Sequence, residues 1–183
     1  MKTAIQRLAQ RADTEGLLDV AYAKVDSPFG PLLLAATPRG LVRLNLPNYD
    51  PEETLEELAA RVSPRVLEAP AKLDEARREL DLYFEGKLTE FDLPIDWQLT
   101  HGFRGKVQRA IHRIPYGSTR SYMELARAAG NERAVRAAGT ACGSNPIPIV
   151  VPCHRVLRSG GALGGYGGGL PMKEALLKLE GVL

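Results

Sequence analysis

The sequence predicts an α+β fold: a small N-terminal antiparallel sheet with helices, followed by a mainly helical C-terminal part containing a helix-turn-helix. Three observations carry that expectation. Short Leu-, Val- and Ala-rich runs recur over residues 18–46 and are separated by turn sequences. Apolar residues then recur at helical spacing over residues 51–62 and 71–84. From about residue 102 the chain becomes basic and reads as short helices punctuated by Gly117 and Gly130.

Taken in order, residues 1–17 show no strong period and allow an extra surface helix. Leu18 to Ala23, Pro31 to Ala36 and Gly40 to Leu46 read as three strands, joined by Ser-Pro-Phe-Gly and Pro-Arg-Gly turns. Connections this short imply an antiparallel meander. Pro51 to Val62 reads as a helix, with Asp50 as N-cap and Pro51 at its first position. Ala71 to Phe84 is a second amphipathic helix closed by Gly86, and Phe91 to Ile95 adds an edge strand. Phe103 to Ile114 is helical and ends at Pro115-Tyr116-Gly117. Ser121 and Glu124 form a capping box for a helix that stops at Gly130. Asn131 then caps a helix from Glu132 to Cys142, completing the helix-turn-helix. The expected domains are 1–98, α+β, and 99–183, the part that carries chemistry.

Composition excludes several classes. The chain of 183 residues has 44% hydrophobic and 25% charged residues, as soluble globular proteins do. No apolar run approaches the roughly 20 residues of a membrane span, so no membrane association is expected. Residues 1–16 lack an apolar signal core, and two cysteines make a stapled secreted scaffold improbable, so the expected location is cytoplasmic. Residues 1–100 carry 12 Lys+Arg against 18 Asp+Glu, whereas residues 101–183 carry 12 against 4, a local charge of +8. Such a basic lobe points to a polyanionic partner.

Cys153 stands in Pro152-Cys153-His154-Arg155, after the apolar run Ile147 to Val151. A thiol attacks as thiolate, and neighbouring cations favour that form. A histidine that accepts the proton, itself oriented by a carboxylate, completes an activated nucleophile. Glu180 is the candidate orienter, although the sequence does not prefer it over Glu174. An inert buried cysteine after a strand is the competing reading. Cys142 reads as a small core residue. Cys142, Cys153, His112 and His154 lack the close pairing of metal ligands, so no metal is expected. In the second helix, Val135-Arg136-Ala137-Ala138-Gly139 offers small side chains around one arginine, which suits a close, shallow minor-groove contact better than major-groove reading. Arg136 would enter the groove or stack and Arg133 would meet phosphate; an Ala-rich core helix is the alternative. Tyr166, amid the glycines 160–169, suggests a wall over a flat ligand.

These motifs together resemble the O6-alkylguanine-DNA alkyltransferases, the methylated-DNA–protein-cysteine methyltransferases. The matching residues are Ile114-Pro115-Tyr116-Gly117, Ser121-Tyr122, Arg136-Ala137-Ala138-Gly139, Asn145-Pro146, Pro152 to Val156, Gly165-Tyr166, Gly168-Gly169-Leu170, Lys173-Glu174 and Leu179-Glu180-Gly181. The resemblance implies DNA repair by stoichiometric, irreversible transfer of an alkyl group from O6-alkylguanine in double-stranded DNA to Cys153, and leaves O4-alkylthymine open. It implies that His154 takes the thiol proton through a water, oriented by Glu180, and that Asn145 holds the turn before the active-site segment. Tyr122 would press on a phosphate as the nucleotide rotates, and Arg136 would fill the vacated stack. Arg133, Ala137 and Gly139 would face the minor groove. Backbone groups at Cys153 and Val156, with Tyr166 and Gly167, would line the pocket for the flipped base. No cofactor is implied, and a monomer is expected.

Two departures stand out: Gln108 replaces a tryptophan that many members carry, and Gly167 stands where some place a hydroxyl. The rival reading is a non-catalytic alkyltransferase-like protein that binds alkylated DNA and recruits other repair factors. Cys153 discriminates, because such proteins have no acceptor. A turnover Cys-His hydrolase would not need the basic helix-turn-helix.

Overall fold

Small and branched apolar residues build the N-terminal sheet in the computed structural model, which describes residues 4–183. Strands β1 (Val20–Val25), β2 (Leu32–Thr37) and β3 (Gly40–Asn45) pair antiparallel as the turns require. Leu32 to Ala35 of β2 are all buried, so this central strand reads as a continuous apolar run without alternation. A fourth strand, β4 (Val66–Glu68), lies parallel to β1 and gives the order β3-β2-β1-β4. Three residues are too few to show a period of two, so the sequence does not signal it.

Helix α1 (Ala4–Thr14) is present, and its Ala9 packs against Ala21 of β1 and Ala69. Helix α2 (Pro51–Arg61) begins where Asp50 accepts the Glu52 N–H at 2.8 Å. Its Leu58 enters a core cluster with Val20, Ala35, Val42 and Leu99. The expected second helix starts as a 3-10 turn, Pro70–Leu73, before α3 (Asp74–Phe84).

The expected edge strand at 91–95 is reduced to one parallel bridge, Leu41 to Ile95. Pro94 has no N–H to extend a ladder. Its carbonyl instead accepts from Leu41 N–H at 2.8 Å. That approach requires glycine at position 40, where a Cβ would lie 2.1 Å from the Pro94 oxygen at a φ of 130°.

The described chain divides into two compact units. One runs to Glu85 and includes Asp92–Leu99; the other comprises Gly86–Phe91 and Thr100–Leu183. The second unit contains α4 (Gly102–His112), the two-residue strand β5 (Arg120–Ser121), α5 (Tyr122–Ala128) and α6 (Val135–Gly143). Strand β6 (Val156–Leu157) pairs parallel with β5, and α7 (Leu170–Leu179) closes the unit. The capping box forms reciprocally: Ser121 Oγ accepts the Glu124 N–H at 3.2 Å, and Glu124 Oε2 accepts the Ser121 N–H at 2.7 Å.

Helix α6 starts about one turn later than the sequence suggests. Asn131 Oδ1 accepts from Arg133 N–H at 3.2 Å, and its carbonyl accepts from Ala134 N–H at 3.0 Å. Asn131 therefore closes an Asx-type turn, a competing use of the same side chain, and α6 begins without a side-chain cap. Ala126 of α5 and Ala138 of α6 are fully buried, so small residues let these helices pack closely. Gln108 of α4 is fully buried too, and its Nε2 donates to the carbonyls of Ala141 and Ser144 at 3.1 and 3.2 Å. The amide thus satisfies open carbonyls at the end of α6, which an indole could not do at two points at once. Among the described residues, no helix is long and apolar enough to cross a membrane.

Candidate active site

The apolar run before Cys153 forms neither strand nor helix. Asn145 folds it into a closed turn: Nδ2 donates to the Val151 carbonyl at 2.7 Å, and Oδ1 accepts the Ile147 N–H at 3.1 Å. Within that turn Ile149 has a φ of 74°, a region that β-branched residues avoid. Such a conformation persists where the surroundings enforce it, and Ile147, Ile149, Val150 and Val151 are all buried. The chain emerges as a single 3-10 turn, Cys153–Arg155.

Two of the three consecutive side chains in that turn, those of His154 and Arg155, converge on Glu180. Cys153 is buried, and Cys142 of α6 donates from its Sγ to the Cys153 carbonyl at 3.8 Å. The Cys153 thiol is held below its ordinary pKa by the neighbouring Cys142 thiol, with Asn145 and the charge of Lys173 helping and burial opposing. Cys142 is pushed the other way, by Cys153 and by burial, so it keeps its proton.

His154 is fully buried, with Nε2 2.8 Å from Glu180 Oε1. A carboxylate only accepts, so Nε2 carries the proton and Nδ1 is the basic nitrogen of the ring. Burial lowers the His154 pKa, and Glu180 only partly opposes it, so the ring rests neutral near pH 7.

Arg155 completes the arrangement. Its Nε and Nη2 donate to Glu180 Oε2 and Oε1 at 2.8 and 2.9 Å, and Nη1 donates to the Ile114 carbonyl. Glu180 therefore accepts three charge-assisted bonds just past the end of α7. Tyr116 donates its hydroxyl to the Leu179 carbonyl at 2.8 Å, so the Pro-Tyr-Gly turn grips the same helix end. Glu174, the other candidate orienter, is only half-buried, whereas Glu180 is buried and bonded to the ring.

Tyr166 and Tyr122 lie on the outer side. The Tyr166 ring stands edge-on to His154, with centroids 6.4 Å apart. The ring of Tyr122 passes Gly139 of α6, and its hydroxyl approaches Gly164, where a Cβ would lie 3.1 Å away. Lys173 is fully buried and donates from Nζ to the carbonyls of Val156, at 2.6 Å, and Leu163. Burial lowers its pKa, and the two thiols oppose that shift.

The backbone groups expected to meet a base are already used within the protein. Cys153 N–H donates to the Val151 carbonyl at 2.8 Å, Val156 N–H donates to the Cys153 carbonyl, and the Val156 carbonyl accepts from Lys173. The Cys153 carbonyl thus accepts twice, from Val156 N–H and from the Cys142 thiol. Gly167 is exposed beside Tyr166.

Cys153, His154, Glu180 and Asn145 thus come together, with Tyr122, Val156 and Tyr166 around them. Arg133, Arg136 and Ala137 are exposed on the helix-turn-helix, and Gly139 is half-buried beside Tyr122. Sequence reasoning missed the Arg155 clamp and the buried Lys173. Lys173 carried a readable signal, since it shares the inward face of α7 with Leu176, Leu177 and Glu180 at spacings of three and four.

Comparison with known proteins identifies the family. Residues 102–182 match the family model of the 6-O-methylguanine DNA methyltransferase DNA-binding domain, and residues 20–97 match that family's ribonuclease-like domain. The methylated-DNA–protein-cysteine methyltransferase of Mycobacterium bovis is 45% identical over 161 residues, covering 88% of this chain and 92% of the relative. That of Methanosarcina barkeri is 43% identical over 159 residues, covering 87% and 96%. The crystal structure of Mycobacterium tuberculosis OGT in complex with DNA superposes with a TM-score of 0.75 at 42% identity, covering 87% of this chain and 92% of that one. With both halves matched and the identity sustained along most of its length, the chain belongs to the 6-O-methylguanine DNA methyltransferase family.

Proposed function

We propose that this protein repairs DNA by moving the alkyl group of O6-alkylguanine directly to Cys153. The observation that carries the reading is the buried His154–Glu180 pair immediately after a buried Cys153, in a chain of this family. The thiol proton passes through one water to Nδ1 of His154, and Glu180 stabilises the imidazolium that forms. The sulfur attacks the alkyl carbon as the carbon–O6 bond breaks, and the electron pair leaves with the base. A thioether has no leaving route, so each chain reacts once.

The DNA side rests on the exposed face of α6. Its small residues Ala137 and Gly139 allow backbone to approach a minor groove, while Arg133 meets phosphate. The nucleotide flips into the pocket bounded by Tyr166, Gly167 and Val156, with Tyr122 against its phosphate and Arg136 in the gap. One chain suffices, since every group named comes from residues 122–180 of that chain. The test is intact-mass analysis after incubation with duplex containing O6-methylguanine. One added methyl at Cys153 supports the reading, and product in molar excess over protein overturns it.

Arg136→Ala separates flipping from chemistry. Holding a base outside the stack costs a few kcal/mol, so losing the arginine should slow single-turnover repair of duplex by about 10- to 100-fold. Free O6-benzylguanine needs no flipping, and its rate should be unchanged. Equal slowing on both substrates would place Arg136 in support of the pocket instead.

A further inference from the structure

The positive charge of residues 101–183 is concentrated on α4 rather than on the helix-turn-helix. Residues 101–113 carry four Lys+Arg and no Asp or Glu, half of the +8 of the whole stretch. On the helix-turn-helix two of the four arginines are already matched, Arg120 lying 3.8 Å from Glu124 and Arg127 2.5 Å from Glu132. Helix α4 gathers its cations on one side: Lys106, Arg109 and the C-cap residue Arg113, at spacings of three and four, are all exposed. The opposite face, with Val107, Gln108 and Ile111, is fully buried, and from it Gln108 donates to the Ala141 carbonyl of α6. Among the described residues, neither Lys106 nor Arg113 has an ion-pair partner, although Glu90 shares a cavity wall with Arg113.

We propose that the stripe of Lys106, Arg109 and Arg113 is a second nucleic-acid surface, which grips the phosphate backbone of a duplex segment other than the one held by α6. It rests on α6 holding the first segment. Helix α6 meets its neighbours with Ala138, Ala141 and Cys142, which are buried, and leaves Arg136 and Ala137 exposed on its other side. The two basic faces therefore point away from each other across a layer two helices thick, about 20 Å. A straight duplex lying on α6 does not reach around that layer, so the stripe takes another segment.

The stripe has the dimensions and chemistry of a backbone contact. From Lys106 to Arg113 the helix rises about 10 Å, the axial length over which one DNA strand presents about three phosphates. The adjoining positions Gly102 and Ala110 are small, so no side chain holds a phosphate away from the cations. They also supply none of the aromatic anchors on which protein interfaces depend, which favours nucleic acid over an acidic protein. Three phosphate contacts bind weakly on their own. Once α6 holds a duplex, however, a second segment of the same DNA is present at high effective concentration.

The test uses the full-length protein, a variant combining Lys106→Gln, Arg109→Gln and Arg113→Gln, and an excess of short unmodified duplexes. Sedimentation velocity at low salt should show one chain carrying two duplexes for the parent and one for the variant. The second binding step should weaken roughly 40-fold between about 50 and 200 mM salt, the slope expected for three phosphates. Affinity for the first duplex and the rate with free O6-benzylguanine should be unchanged in the variant, and thermal unfolding confirms that it is folded. One duplex on both proteins would overturn the proposal and leave α6 in place. One duplex on the parent and none on the variant would reject α6 as the first surface, and the proposal with it. Two duplexes joined by two chains would mark self-association instead, and a variant with weakened first-duplex binding would put the stripe on the same duplex as α6. A parent that stops at one duplex yet retains polyglutamate at the same salt would mark a protein-docking face. Sedimentation needs no alkyl transfer, so the result is independent of the reaction assigned to Cys153.

Discussion

Cys153→Ser should abolish alkyl transfer while the protein still folds and binds DNA. The exchange of sulfur for oxygen is nearly isosteric, and the turn around it is held by Asn145 and by backbone bonds that the side chain does not make. Chemistry is lost because a hydroxyl does not ionise near pH 7 and the groups assembled here favour an anion on sulfur. Cys142 does not substitute for it, since it is held as the protonated partner of the pair. The measurement is intact mass and label transfer from a methylated oligonucleotide, alongside a duplex-binding titration. A methyl found on Cys142 or on the introduced serine would reject the acceptor assignment. Loss of binding together with transfer would show instead that the sulfur supports the DNA-facing helices.

Strands β1 to β3 and helices α2 and α3 are legible because each obeys a local rule. Pro and Gly mark the turns, Asp50 caps α2, and β1 to β3 are long enough to show their apolar content. What escapes depends on contacts distant in sequence. β4 exists because β1 offers an open edge, and the bridge at Ile95 because Gly40 admits the Pro94 carbonyl. The start of α6 is ambiguous because Asn131 can cap a helix or close a turn, and local sequence does not choose. At the site, Cys153 and His154 are legible as neighbours, but the choice of Glu180 over Glu174 needs the burial pattern of α7. By sequence Arg155 reads as a cation for the thiolate; in the fold it turns from Cys153 and clamps Glu180.

Glu180→Gln should weaken the fold as well as the reaction. The carboxylate accepts from Arg155 twice and from His154 once, all in the interior. An amide offers one oxygen and turns two N–H groups toward donors, so at least one existing bond becomes a repulsion. Breaking a buried pair by removing one partner typically costs 3–5 kcal/mol, about 10 °C in unfolding midpoint for a chain of this size. The transfer rate, measured at a temperature where the variant is folded, should fall by about 10²-fold or more, since the imidazolium loses its counter-charge. His154 adds a pH signature. Its folded pKa lies below the ordinary value of 6.5, so the unfolded chain binds the extra proton first. Stability from this residue is therefore present above about pH 6.5 and is lost as pH falls below it. Removing Glu180 takes away the group that supports the protonated ring, so the folded pKa drops further and the loss extends to lower pH. Unfolding midpoints between about pH 8 and pH 5 read both effects. A midpoint within about 2 °C of the parent at pH 8 would mean that Arg155 finds another partner, and that Glu180 orients His154 without anchoring the end of α7.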